Sequence, residues 1–262
     1  MAHANKGTEA KQVQIVTDSR GKGLEPRLKN KLEQQNISVR VYVYAGASLN
    51  KLKEKLQQQS RHHDLHILLG GICNFTTLNK IETGRTISYR KSAPNLQGLK
   101  NDFDNKLVTL PNTIFTTVTP ADLTKFYTTN NRNCTAPDHT EEQKNLVQDI
   151  ENYNQHIKLT CSNSGKKYIN LAKTCQRESR KRRAQSKKVI TRFDSSLLKD
   201  GLHPSDQLLD TWAKLISQAI IVHFNRNQET LTPHKEASDF LSDTQSSEED
   251  TGNFKRAKTT VN

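Results

Sequence analysis

The feature that most limits what this chain can fold into is an alternation of two hydrophobic periods in its first 70 residues. Val13–Thr17 (VQIVT), Val39–Tyr44 (VRVYVY) and Leu65–Leu69 (LHILL) are short runs rich in β-branched and aromatic residues, which suit strands. Between them, Leu24, Leu28 and Leu32, and then Leu49, Leu52 and Leu56, recur at three- and four-residue spacing, the stripe of an amphipathic helix. Each strand-like run ends at turn formers: Asp18-Ser19-Arg20-Gly21-Lys22-Gly23, Gly46-Ala47-Ser48 and Gly70-Gly71. Thr113–Val118 and Tyr168–Ala172 read as a fourth and a fifth strand. Helices are expected over about 141–157 (Leu146, Ile150, Tyr153 and Ile157 on one face) and 205–224 (Leu208, Leu209, Trp212, Leu215, Ile216, Ala219 and Ile220). Residues 84–106 read as a long connection into a helix, and 128–140 as loop. Strands that alternate with helices form a parallel sheet covered on both faces. The expected fold is therefore α/β, with helices on either side of a parallel five-stranded sheet. Such sheets place their sites beyond the carboxyl ends of the strands.

Composition sets the boundaries of that domain. Only 32% of the 262 residues are apolar and the formal net charge is +13, so part of the chain is expected outside any core. Residues 1–11 read as a disordered lead, 12–226 as the folded domain and 227–262 as a disordered polar tail. The tail holds the acidic stretch Ser242–Asp250 and the basic cluster Lys255–Lys258. The first twelve residues lack an apolar segment of the signal-peptide kind, and no apolar run is long enough to span a bilayer. Cys73, Cys134, Cys161 and Cys175 form no CxxC pair. They read as free thiols of a reducing compartment, so an intracellular location, cytoplasmic or nuclear, is expected. His62, His63 and His66 are close in sequence but lack a partner at ligand spacing. No metal and no cofactor are expected.

Three elements with chemical potential follow three of the strands. A serine at a tight strand-to-helix turn, here Ser19, is lifted clear of the sheet with its N–H near a helix N-terminus. Gly46 would let a backbone N–H approach an oxyanion closely. Asn74, in Gly70-Gly71-Ile72-Cys73-Asn74, could donate an amide to the same oxyanion. A fourth element, Asp200-Gly201-Leu202-His203-Pro204, precedes the last helix. An aspartate and a histidine three apart in a turn can share a hydrogen bond that fixes the imidazole tautomer, leaving the other ring nitrogen to accept a serine proton. Asp18 reads as a structural residue of the nucleophile turn.

In this order the four elements resemble the SGNH (GDSL-like) hydrolases over roughly residues 12–224. The nucleophile block falls on Thr17-Asp18-Ser19, the glycine block on Gly46, the asparagine block on the GGICN stretch and the DxxH block on Asp200 and His203. The resemblance implies a flavodoxin-like three-layer α/β/α sandwich. It also implies hydrolysis of an ester or thioester through an acyl-serine, with Ser19 as nucleophile, His203 as general base and Asp200 orienting it. Gly46 and Asn74 would form the oxyanion hole. Two departures stand out. Thr17 replaces the glycine that opens the nucleophile block. In the asparagine block, an ungapped alignment on Gly71 puts Cys73 at the donor position, whereas an alignment on the asparagine makes Asn74 the donor with one residue extra. A thiol is a poor donor.

The partner implied by the hydrolase reading is a small ester or acyl substrate. The charge admits a competing reading, a non-catalytic SGNH-like module that binds nucleic acid or protein. Its feature is the run 177–188 (RESRKRRAQSKK), a basic insert between the fifth strand and the DxxH block. There Arg180, Lys181, Arg182 and Arg183 are candidate contacts for phosphates or an import receptor. A basic, single-domain protein of this type is similar in outline to the esterase domain of some retrotransposon first-frame products. The oligomeric state is not legible from the sequence.

Overall fold

The computed structural model describes residues 9–59, 62–90, 96–131, 134–183 and 186–229. The expected lead falls largely outside these residues, as do most of the polar tail and its acidic and basic clusters. Five parallel strands form the central sheet: β1 (Lys11–Thr17), β2 (Ile37–Val43), β3 (Leu65–Leu69), β6 (Thr113–Thr116) and β7 (Tyr168–Ile169), in the order β2-β1-β3-β6-β7. Counting sheet strands alone, this is the 2-1-3-4-5 order of a doubly wound fold, and the expected architecture is met. β1, β3 and β6 are the inner strands, and β1 and β3 read as nearly unbroken apolar runs because both of their faces are covered. All five residues of β3 are buried.

One face carries α1 (Leu24–Leu32) and α6 (Asp206–Glu229). Leu24, Leu28 and Leu32 meet Leu208, Trp212, Ile216 and Ile220 over Val13, Ile15, Leu65 and Ile67. Trp212 is buried and donates its indole N–H to Thr174 Oγ1 at 2.9 Å, as a buried tryptophan requires. The other face carries α2 (Leu49–Gln59), α3 (Leu96–Asp102) and α5 (Thr140–Asn163). There Leu52, Leu56, Leu99, Phe103, Ile150 and Tyr153 pack on Val16, Leu68 and Phe115.

Three elements differ from the sequence reading. A hairpin, β4 (Thr76–Ile81) with β5 (Gly84–Tyr89), precedes and overlaps the start of the connection expected over 84–106. Most of its side chains are exposed or half-buried, so no apolar alternation marks it; Thr76 and Ile87 are its buried anchors. The segment before 131 is a helix, α4 (Leu123–Asn130), capped by Asp122, whose carboxylate accepts the Lys125 N–H at 2.8 Å. It holds the β5 end of the hairpin: the Asn131 amide donates to the Arg85 carbonyl at 2.7 Å. The basic insert is an antiparallel ribbon, β8 (Gln176–Arg183) with β9 (Ser186–Phe193), in which Arg177 faces Arg192 and Lys181 faces Lys188. No helix among the described residues is long and apolar enough to cross a membrane.

Candidate active site

The end of β1 builds the first part of the site. Asp18 is buried, and its carboxylate accepts the Arg20 N–H at 3.0 Å, closing a single 3-10 turn over Ser19–Gly21. This turn lifts Ser19 above the sheet. Thr17, the residue that departs from the family pattern, explains why position 21 must be glycine: a Cβ on Gly21 would sit 2.3 Å from the Thr17 methyl. Arg20 is buried as well. Its guanidinium donates to the carbonyl and the hydroxyl of Thr119, and its Nε lies 3.5 Å from the Asp18 carboxylate. The pair ties the serine turn to the segment after β6. Losing either member would leave a buried charge uncompensated.

The second part comes from the turn before α6. Asp200 Oδ1 accepts the backbone N–H groups of Leu202 and His203 at 3.0 and 2.8 Å, and Oδ2 lies 2.8 Å from His203 Nδ1. The turn is closed by Lys199 N–H to the His203 carbonyl at 2.7 Å. Gly201 (φ +86°) is packed against the start of α4: a Cβ there would come within 2.5 Å of the Asp122 carbonyl and the Phe126 nitrogen. The Asp122 N–H donates to the Gly201 carbonyl at 2.7 Å. Helix α4 thus fixes the height of the turn over the sheet. His203 Nε2 lies 3.1 Å from Ser19 Oγ.

The electrostatics suit the line Ser19–His203–Asp200. Partial burial raises the Asp200 carboxyl, but the hydrogen bonds from the His203 ring and from the His203 and Leu202 backbones outweigh it and bring it down to about 2. The carboxylate is therefore charged throughout the neutral and mildly acid range. A charged Asp200 takes the proton on Nδ1 and leaves Nε2 bare toward the serine hydroxyl.

Ser19 and His203 open on a cavity of about 520 Å³. It is lined by Gly46, Cys73, Phe126 and Leu202 and, from the hairpin, by Thr77, Arg85, Ile87 and Arg90. Gly46 has φ +73°, and a Cβ there would meet nothing within 4 Å; the glycine is required by its backbone angle and leaves the cavity open. Asn74, the expected amide donor, lies one residue beyond the cavity-lining Cys73. It is buried, its Oδ1 accepts the Leu49 N–H at the start of α2 at 2.9 Å, and the residue lining the cavity is its neighbour Cys73. Burial, then the nearby Asp18 carboxylate, raise the Cys73 thiol to about 11 against the opposing charges of Arg20 and Arg90. It is neutral at physiological pH.

No protein-family model and no curated protein matches this sequence. Solved structures do match in three dimensions. A GDSL-like lipase from Bacteroides thetaiotaomicron superposes with a TM-score of 0.54 at 15% identity, over 84% of this chain and 92% of its own. An acetyl xylan esterase gives 0.52 at 14%, over 80% and 99%. A member of the lipolytic G-D-S-L family from Veillonella parvula gives 0.50 at 11%, over 83% and 100%. The fold is that of the GDSL/SGNH-like hydrolases.

Within this SGNH-like framework, the structure brings Ser19, His203 and Asp200 into one hydrogen-bonded line and puts Gly46 beside them. The histidines near the start of β3 lie elsewhere. His66 is buried with Nδ1 3.0 Å from the Gln14 side chain, and burial, then His63, lower its pKa. Sequence reasoning missed the buried Arg20 and the whole hairpin wall. A polar hairpin between two parallel strands carries no apolar signal; the turn Glu82-Thr83-Gly84 was its one readable mark.

Proposed function

We propose that this chain is a serine hydrolase that cleaves an ester or thioester through an acyl-serine intermediate. The observation that carries the reading is the continuous line Ser19 Oγ, His203 Nε2, His203 Nδ1, Asp200 Oδ2, with steps of 3.1 and 2.8 Å at the mouth of a cavity large enough for a small acyl group. In the first half-reaction the Ser19 oxygen attacks the carbonyl carbon as its proton passes to His203 Nε2. The imidazolium returns that proton to the leaving alcohol or thiol, which departs as the acyl-serine forms. A water then repeats the sequence: His203 takes its proton, the hydroxyl adds to the acyl carbon, and Ser19 leaves with the proton restored. The Ser19 N–H and the Gly46 backbone are the donors the reading assigns to the developing oxyanion. Cys73, an S–H beside them, adds little.

A fluorophosphonate probe reports the activated serine directly. The wild-type protein is expected to be labelled covalently and the Ser19→Ala variant to remain unlabelled. Equal labelling of the two would exclude Ser19 as the nucleophile.

A second reading draws on the β8–β9 ribbon, where eight of the residues between 176 and 193 are lysine or arginine. A two-stranded ribbon is narrow enough for a nucleic-acid groove, so the basic insert would serve as a phosphate-binding arm on the domain, with Arg180, Lys181, Arg182 and Arg183 as its contacts. This role is compatible with hydrolysis and does not depend on it. Its mark would be an affinity for nucleic acid that falls steeply with salt.

A further inference from the structure

We infer that the ester taken by this site carries an anionic group, held by Arg85 and Arg90 on the hairpin wall. The inference rests on the hydrolase reading of Ser19 and adds the chemical class of its substrate. Arg85 and Arg90, both exposed, line the same cavity as Ser19 and His203. Among the described residues, neither has a carboxylate within ion-pair distance, although Arg27, Lys29 and Lys106 do. Among the described residues, the acid that lines the cavity is Asp200, and its oxygens are already committed to His203 and two backbone N–H groups. Among the described residues, the cavity therefore holds two positive charges with no negative charge free to answer them.

The arrangement is directed. Arg90 Nε donates to Thr77 Oγ1 across the hairpin at 3.1 Å, which steadies the side chain while leaving its terminal nitrogens unused among the described residues. Its charge is one of those that oppose the rise of the Cys73 thiol pKa. Ile87, Phe126 and Leu202 give the wall apolar surface, beside the polar Thr76, Thr77 and Asn130. A short aliphatic or aromatic segment would lie along these residues, with a carboxylate or phosphate at the far end facing a planar guanidinium, which favours such groups over neutral polar ones.

The test uses two matched pairs of esters, since the charge can sit on either side of the scissile bond. In the acyl pair, mono-4-nitrophenyl adipate is compared with its methyl ester. In the leaving-group pair, 4-acetoxybenzoate is compared with methyl 4-acetoxybenzoate. In at least one pair the anion is expected to have a kcat/KM about tenfold higher at low salt. That ratio should shrink as salt rises, collapse in the Arg85→Gln/Arg90→Gln double variant, and be partly kept when both are lysine. Turnover with no preference for the anion in either pair, or a preference that survives the double glutamine variant, overturns the inference and leaves the hydrolase reading standing. If no ester is turned over, the hydrolase reading fails by itself. The anion site is then read by titrating monomethyl adipate into the Ser19→Ala protein. An affinity weakened about tenfold by the double glutamine change supports the inference, and no saturable binding sinks it.

Discussion

Asp200→Asn is expected to lower kcat for ester hydrolysis by about 10⁴-fold while leaving the fold intact. The two backbone N–H groups of Leu202 and His203 point at Oδ1, and an asparagine carbonyl can accept both, so the turn keeps its shape. What changes is the ring of His203. The carboxylate, held ionised down to about pH 2, accepts from Nδ1 and stabilises the imidazolium formed when Nε2 takes the serine proton. A neutral amide gives no such stabilisation and can instead donate to Nδ1, which puts the proton on Nε2 and blocks it as a base. Asp200→Ala should fail differently: it also removes the acceptor for the two N–H groups, so thermal stability should fall along with activity. The comparison therefore separates a chemical role from a structural one. A near-normal kcat in the asparagine variant, together with an unchanged melting temperature, would take Asp200 out of the mechanism.

The acid-stability consequence has a definite sign. The folded carboxyl titrates below its ordinary value of 3.8. The stabilisation it brings is thus fully present above that value and lost as pH falls through about 2.

Legibility from sequence followed burial. The central strands β1 and β3 and the leucine stripes of α1 and α2 were read almost to the residue because they are covered on all sides, and hydrophobic period reports coverage. β7 was read as five residues and pairs over two, because Leu171 is buried just past the ladder and Ala172 opens the 3-10 turn Ala172–Cys175. Helix α4 was missed because its sequence, LTKFYTTN, is rich in residues of poor helix propensity. It is held instead by the Asp122 cap, the buried Leu123 and Phe126, and the turn that follows Asp200. The site divided along the same line. Ser19, Asp200 and His203 have fixed spacing to strand and helix ends, which a sequence displays. The wall of the cavity comes from a hairpin that joins the site only through tertiary contact, so Arg85 and Arg90 could not be assigned to it beforehand.

The place of Cys73 on the cavity wall leads to a predicted gain of activity. Asn74 spends its side-chain oxygen on the Leu49 N–H at the start of α2, and of the two neighbours it is Cys73 that lines the cavity. Cys73 lines the same cavity as Gly46 and Ser19, so a stronger hydrogen-bond donor there is expected to reach the developing oxyanion. Its thiol, raised to about 11, offers only a weak S–H. A full oxyanion donor is worth about 100- to 1,000-fold in kcat. Cys73→Asn is therefore expected to raise kcat toward esters by up to about that factor, with a smaller change in KM because the contact strengthens only in the transition state. Cys73→Ser and Cys73→Ala serve as the controls. A hydroxyl is a better donor than a thiol but shorter in reach than an amide, so serine should fall between cysteine and asparagine, and alanine should stay near the wild type. Were asparagine no faster than alanine at this position, the oxyanion would have to be held by backbone donors alone. In that case the thiol would be no more than a packed neighbour of Ile72, with the slow step lying elsewhere.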